Sequence, residues 1–112
     1  MTSDDFRKFS LSFPETIESA HMGHPDFRVG GKIFATLTED EDRGMAKLNA
    51  EQQAWFLTNA PESFGPAAGA WGERGATLIL LENADETLVL RALNAAWRNI
   101  APKKLVEAQD EF

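Results

Sequence analysis

The sequence predicts an α+β domain in the order helix, three strands, helix, one or two strands, helix. Three observations carry this. Residues 24–37 hold two alternating apolar stretches around the pair Gly30-Gly31, which reads as a β-hairpin. Asn49 with Gln52, and Asn83 with Glu86, have the spacing of capping boxes that open helices. Val89, Ala92, Leu93, Ala96, Trp97 and Ile100 recur at helical spacing and form an inner stripe.

In order along the chain, Thr2 and Ser3 cap a first helix, with Asp4 and Asp5 favourable at its positive end. Phe6 and Phe9 share its inner face, and Pro14 ends the element. Residues 17–22 read as a short strand between Pro14 and Gly23. In the hairpin, a two-residue Gly30-Gly31 loop would leave both faces mixed. A three-residue loop, Gly30-Gly31-Lys32, puts Phe27, Val29, Ile33, Ala35 and Leu37 on one face. It leaves Asp26, Arg28, Phe34 and Thr36 on the other, and this register is expected. After the acidic block a third strand spans residues 45–49. Ala46 and Leu48 face inward, and Met45 and Lys47 face out beside Arg28 and Phe34. The helix opened by Asn49 runs to about Asn59, followed by a Pro- and Gly-rich loop. Gly69-Ala70-Trp71-Gly72 starts a fourth strand. Residues 77–81 form a continuous apolar run, expected to be a central strand covered on both faces. On the last helix Arg91 and Arg98 lie two turns apart on the outer face. Pro102 breaks that helix, and Lys103-Lys104-Leu105 begins a short tail. No repeat or low-complexity linker divides the chain, so residues 1–112 read as one domain.

A chain of 112 residues buries enough surface for one core without staples. It has no Cys, hence no disulfide, no thiolate metal ligand and no thiol nucleophile. No leader-like or membrane-spanning run is present, and a cytoplasmic location is expected. The net charge of −7 opposes phosphate backbones at long range. That charge is segregated. Glu39-Asp40-Glu41-Asp42 form one block and Asp110-Glu111 another, whereas Arg91, Arg98, Lys103 and Lys104 lie in a stretch without acids, as do Arg28 and Lys32.

Glu18, His21, His24 and Asp26 suggest a metal cluster on paper. Residues three apart on a strand point to opposite faces, so Glu18, His21 and His24 are expected to diverge, and no metal site or cofactor is expected. The two imidazoles then serve as hydrogen-bonding groups at the sheet edge. His21 or His24 oriented by Asp26 would be a general base only if a pocket held it with its charged partner. No nucleophile elbow and no phosphate-cradling loop is present, and no catalytic residue is assigned. Two surfaces remain. On the outer sheet face, Phe34 between Arg28 and Lys47 suits stacking on a base or an apolar anchor with a charged rim, unless a helix covers it and Phe34 is core. On the last helix, Arg91 and Arg98 followed by Lys103 suit phosphate or an acidic partner, or simply a solvated helix end. Trp71 and Trp97 read as core residues. Trp71, between glycines, could instead line a groove.

Several blocks resemble the MmcQ/YjbR family of small bacterial proteins. They are residues 21–29, with the Phe-x-Val-x-x-Lys-x-Phe-Ala core that runs into residues 31–37, Gly69-Ala70-Trp71-Gly72, and Ala96-Trp97-Arg98 followed by Ala101-Pro102-Lys103. The likeness runs from about Phe13 to Leu105. It implies a two-layer domain in which an antiparallel sheet packs against helices, like the type III secretion chaperones and related to the frataxin-like shape. Members are commonly labelled DNA-binding by structural likeness, and fold alone does not fix function. Arg28, Lys32, Arg98 and Lys103 match the pattern and are candidate contacts, with Trp71 and Trp97 structural.

The expectation is therefore a non-enzymatic binding domain, a monomer or weak dimer away from membranes, with nucleic acid as the nominal ligand. Its candidate contacts are Arg28, Lys32, Phe34, Lys47, Arg91, Arg98 and Lys103. The alternative is a chaperone-like protein-interaction module that exposes an apolar patch or buries Phe34 in a symmetric dimer.

Overall fold

Six antiparallel strands form one sheet in the order β1-β2-β3-β4-β6-β5, and helices cover one of its faces. The structure, a computed structural model, describes residues 1–110. Glu111, half of the acidic pair at the tail, lies outside the described residues. The chain runs α1 (Ser3–Leu11), β1 (Ile17–His21), β2 (His24–Val29), β3 (Lys32–Leu37), β4 (Arg43–Lys47), α2 (Ala50–Asn59), β5 (Phe64–Pro66), α3 (Gly69–Glu73), β6 (Ala76–Leu80), α4 (Glu86–Ile100) and α5 (Lys103–Asp110). No helix among these residues is long and apolar enough to cross a membrane.

Side-chain caps fix the starts of three helices. Thr2 and Asp5 exchange side-chain-to-backbone hydrogen bonds of 3.1 and 3.0 Å at the start of α1. Asn49 and Gln52 do the same for α2 at 2.8 and 3.0 Å. The second expected capping box is not used. Leu81–Asn83 form a 3-10 turn, and Asp85 caps α4 by accepting from the Leu88 backbone N–H at 3.1 Å. Three further expectations are corrected. The Trp71 segment is helix α3, not a strand. A short strand, β5, lies in the stretch read as loop. Beyond Pro102 the chain forms α5 rather than a tail.

The hairpin register differs from expectation for a clear reason. Val29 pairs with Lys32 and Arg28 with Ile33, so the loop is the two residues Gly30 and Gly31, both at positive φ (59° and 79°). That turn matches the right-handed twist of its strands. The register then shifts, because Phe27 pairs with Ala35, and Phe34 is the extra residue of a β-bulge. Ala35 and Leu37 thereby return inward beside Phe27 and Val29, and Phe34 turns inward with them. Phe34 and its neighbour Ala35 are both fully buried. Ile33 is the residue that faces out. One bulge resolves the mixed pattern that a two-residue loop otherwise leaves.

The core lies between the sheet and α1, α2 and α4. The expected inner stripe of α4 is there, with Val89, Ala92, Leu93, Ala96 and Trp97 buried and Ile100 half-buried. Phe13 stacks on Trp97 at 6.1 Å and meets Phe34 edge-on at 6.3 Å. The Trp97 Nε1–H donates to the Pro14 carbonyl at 3.2 Å, which satisfies the one polar atom of a buried indole. β6 has a partner on each side but only one covered face. Thr77 and Ile79 are buried, Leu78 is half-buried and Leu80 is exposed. The expected double covering is therefore corrected, and the outer face of the sheet carries no layer of long helices.

Candidate ligand groove on the outer sheet face

The uncovered face holds the site. Pairing brings Asp26, Thr36, Met45 and Leu78 into one row across β2, β3, β4 and β6. Thr36, Met45 and Leu78, all half-buried, form a largely apolar floor. His21 and His24 stand at one side of a cavity of about 390 Å³ above it, and Trp71 and Lys47 at the other. Past Trp71 a second cavity of about 410 Å³ runs toward Arg74, Asn49 and Asn99.

Trp71 is not core and takes the alternative place, lining the groove. It is 59 % exposed, on a five-residue helix that packs against β6. Backbone packing holds that helix. A Cβ at Gly72 would stand 1.8 Å from the Ala67 carbonyl oxygen, and one at Gly75 (φ 121°) would stand 2.3 Å from the Leu48 oxygen. Only glycine permits both approaches. The Gln53 side-chain amide on α2 then donates to the carbonyls of Gly72 and Ala76, each at 2.9 Å. Trp71 is thus an exposed ring on a braced support. The glycines flanking it were the available signal.

Lys47 points outward from β4 as expected, and its ammonium lies 4.8 Å from the Trp71 ring centroid. Its backbone carbonyl accepts from the Asn99 side chain at 3.1 Å, which ties the end of α4 to the groove. The residues lining the two cavities include Lys47, Arg74, His21 and His24 and no carboxylate. On a chain of net charge −7 that is a local reversal of sign.

The imidazoles are brought together rather than apart. The expected divergence assumed a single strand, but Met22-Gly23 form a tight turn at positive φ (48° and 81°). His21 and His24 therefore form a cross-strand pair with ring centroids 5.8 Å apart. The His21 Nδ1 lies 2.8 Å from Asp26. Asp26 is fully buried and accepts from Arg28 Nε and Nη2 at 2.8 and 3.0 Å. These Arg28 bonds, helped by His21, hold the Asp26 carboxyl below the usual carboxylate range despite its desolvation. A carboxylate only accepts, so the His21 Nδ1 carries the proton and donates. Glu18 does diverge. It faces α1 and pairs with Arg7 at 2.9 Å. Among the described residues no group of three or more His, Asp or Glu is arranged to hold a metal ion.

The other candidate contacts are dispersed. Phe34 is core and cannot stack on a ligand or anchor a dimer. Arg28 is engaged by Asp26. Lys32 is exposed beside the glycine turn. Arg91 lies 4.9 Å from the Trp55 ring on the helical layer. Arg98 contacts both oxygens of Asp110 at 2.9 Å, and Lys103 is 3.8 Å from Glu107. The basic side expected of the last helix is therefore substantially neutralised, because the tail folds as a helix that brings its acids back.

A sequence model of the family described as YjbR matches residues 11–99. No curated protein matches the chain. Among solved structures, the crystal structure of Deinococcus radiodurans protein DR2400, whose domain is designated DUF419, superposes with a TM-score of 0.78. Sequence identity is 19 %, and the alignment covers 92 % of this chain and 80 % of that one. At that identity the likeness shows the fold.

Proposed function

The chain belongs to the YjbR family, and on that premise we propose that it is a non-enzymatic, cytoplasmic binding domain for single-stranded nucleic acid. One observation carries the reading. An exposed aromatic ring on a braced helix stands between two cavities whose lining contains cations and imidazoles but no carboxylate. A base stacks on Trp71, and Lys47 and Arg74 meet the flanking phosphates. Single strands fit better than a duplex, because duplex bases are not free to stack. The overall negative charge keeps affinity modest and strongly dependent on salt.

Fluorescence anisotropy of labelled single- and double-stranded DNA, at low and near-physiological salt, tests this. The expected result is preference for the single strand, weakening with salt, and weaker binding in Trp71→Ala and Lys47→Ala. Absence of binding at low salt overturns it. The exposed Ile17, Met22 and Leu80 support the second reading, a protein-interaction module. That reading gains if nucleic acid fails and an extended apolar peptide perturbs the NMR signals of Met45 and Leu78.

A further inference from the structure

We propose that His21 and His24 form a two-imidazole site for a divalent ion of the zinc, nickel or copper kind. The pair sits across a two-residue turn, so its spacing is set by backbone geometry. A metal about 2.0–2.1 Å from one nitrogen of each ring, at a near-tetrahedral angle, requires ring centroids roughly 5.3 Å apart. The observed separation is 5.8 Å with the rings tilted by 38°, and Asp26 holds His21, so closure on a metal asks His24 to move inward by about 0.5 Å. Both rings line the same cavity, which has room for the waters that would fill the remaining coordination positions.

Asp26 supplies the outer partner that such sites use. It accepts a 2.8 Å hydrogen bond from the His21 Nδ1–H, which leaves Nε2 as the free ligand atom. Arg28 holds Asp26 through two bonds, and the carboxylate is fully buried, so the orientation of His21 is fixed from behind. Imidazole without carboxylate or carbonyl ligands selects zinc, nickel or copper over magnesium or calcium. The site needs no nucleic acid, and its success or failure is independent of the groove's reading.

The test is a calorimetric titration of the tag-free full chain with zinc chloride in a non-coordinating buffer, paralleled by imidazole nitrogen NMR. The expected result is uptake of one equivalent with the ring signals of His21 and His24 moving together. His24→Ala should weaken uptake by at least the roughly tenfold that losing even an outer partner costs, and the His21→Ala/His24→Ala pair should abolish it. Circular dichroism checks that the variants remain folded, and the wild-type NMR shifts report on the site without any substitution. No uptake at millimolar zinc, or uptake that leaves the ring signals still and persists in the double variant, overturns the proposal. The second result would place the ion at acidic groups such as residues 39–42.

Discussion

The Lys47 ammonium stands 4.8 Å from the centre of the Trp71 ring, joining the end of β4 to a helix that follows β5. Trp71 is exposed and Lys47 half-buried, so the pair contributes modestly to stability, and the ring face is shared between a cation and solvent. Trp71→Ala is expected to lower unfolding free energy by about 1 kcal/mol or less. It should weaken single-stranded DNA binding by about 1–3 kcal/mol, the value of one stacked base. Urea denaturation and anisotropy measured on the same sample separate the two effects.

Arg98 and Lys103 already have Asp110 and Glu107 beside them. Replacing either with Ala is expected to leave DNA affinity within about 0.5 kcal/mol of the parent and stability within about 1 kcal/mol. Arg74→Ala, at the groove, should weaken binding and flatten its salt dependence. A salt titration of the three variants reads this directly.

Phe34 sits in the core at the bulge, against Phe13. Phe34→Ala is expected to cost about 3–5 kcal/mol, as for other buried aromatics. A surface Phe would lose far less. The midpoint of chemical denaturation decides it.

Asp26 links acid sensitivity to the His hairpin. Its folded carboxyl is held below the ordinary value. Its contribution is therefore present above the unfolded pKa of about 3.9 and lost as pH falls through the lower folded value. Asp26→Asn should lower stability at neutral pH by about 1–3 kcal/mol, and the gap between variant and parent should close toward acid pH. Denaturation curves between neutral pH and about pH 3 would show the gap closing.

Ser10 is fully buried on α1, and its hydroxyl has no hydrogen-bond partner among the described residues. Ser10→Ala should be neutral or stabilise by about 1 kcal/mol, and a thermal melt reports the sign.

Local rules made much of this fold legible. The stripe on α4, the cap at Thr2, the box at Asn49 and the existence of a hairpin at Gly30-Gly31, though not its loop length, each depend on neighbours a few residues apart. Errors arose where distant contacts decided. The bulge at Phe34 follows from the demand of the core for both Phe34 and Ala35, which no spacing rule states. Trp71 is exposed because Gly72 and Gly75 let a helix pack on the backbone of Ala67 and Leu48. Its glycine flanks hinted at a groove, but not at which side of the sheet. The His pair was misread because a turn at Met22-Gly23 makes two strands of what looked like one. The tail acids were visible in the sequence, but their return to Arg98 required α5.

The strand order also sets a timetable for assembly. Strands β1 to β4 follow one another as neighbours, joined by short turns, so their pairing requires little loop closure. Strand β6 reaches β4 only after residues 48–75 have been looped out, and β5 docks on its far side. The meander can therefore form early, while the groove is completed late, when α3 and β6 join it. Pulse-labelled hydrogen exchange should find the amides of β2 and β3 protected before those of β6. A nascent chain would carry its imidazole pair before it carries its tryptophan platform.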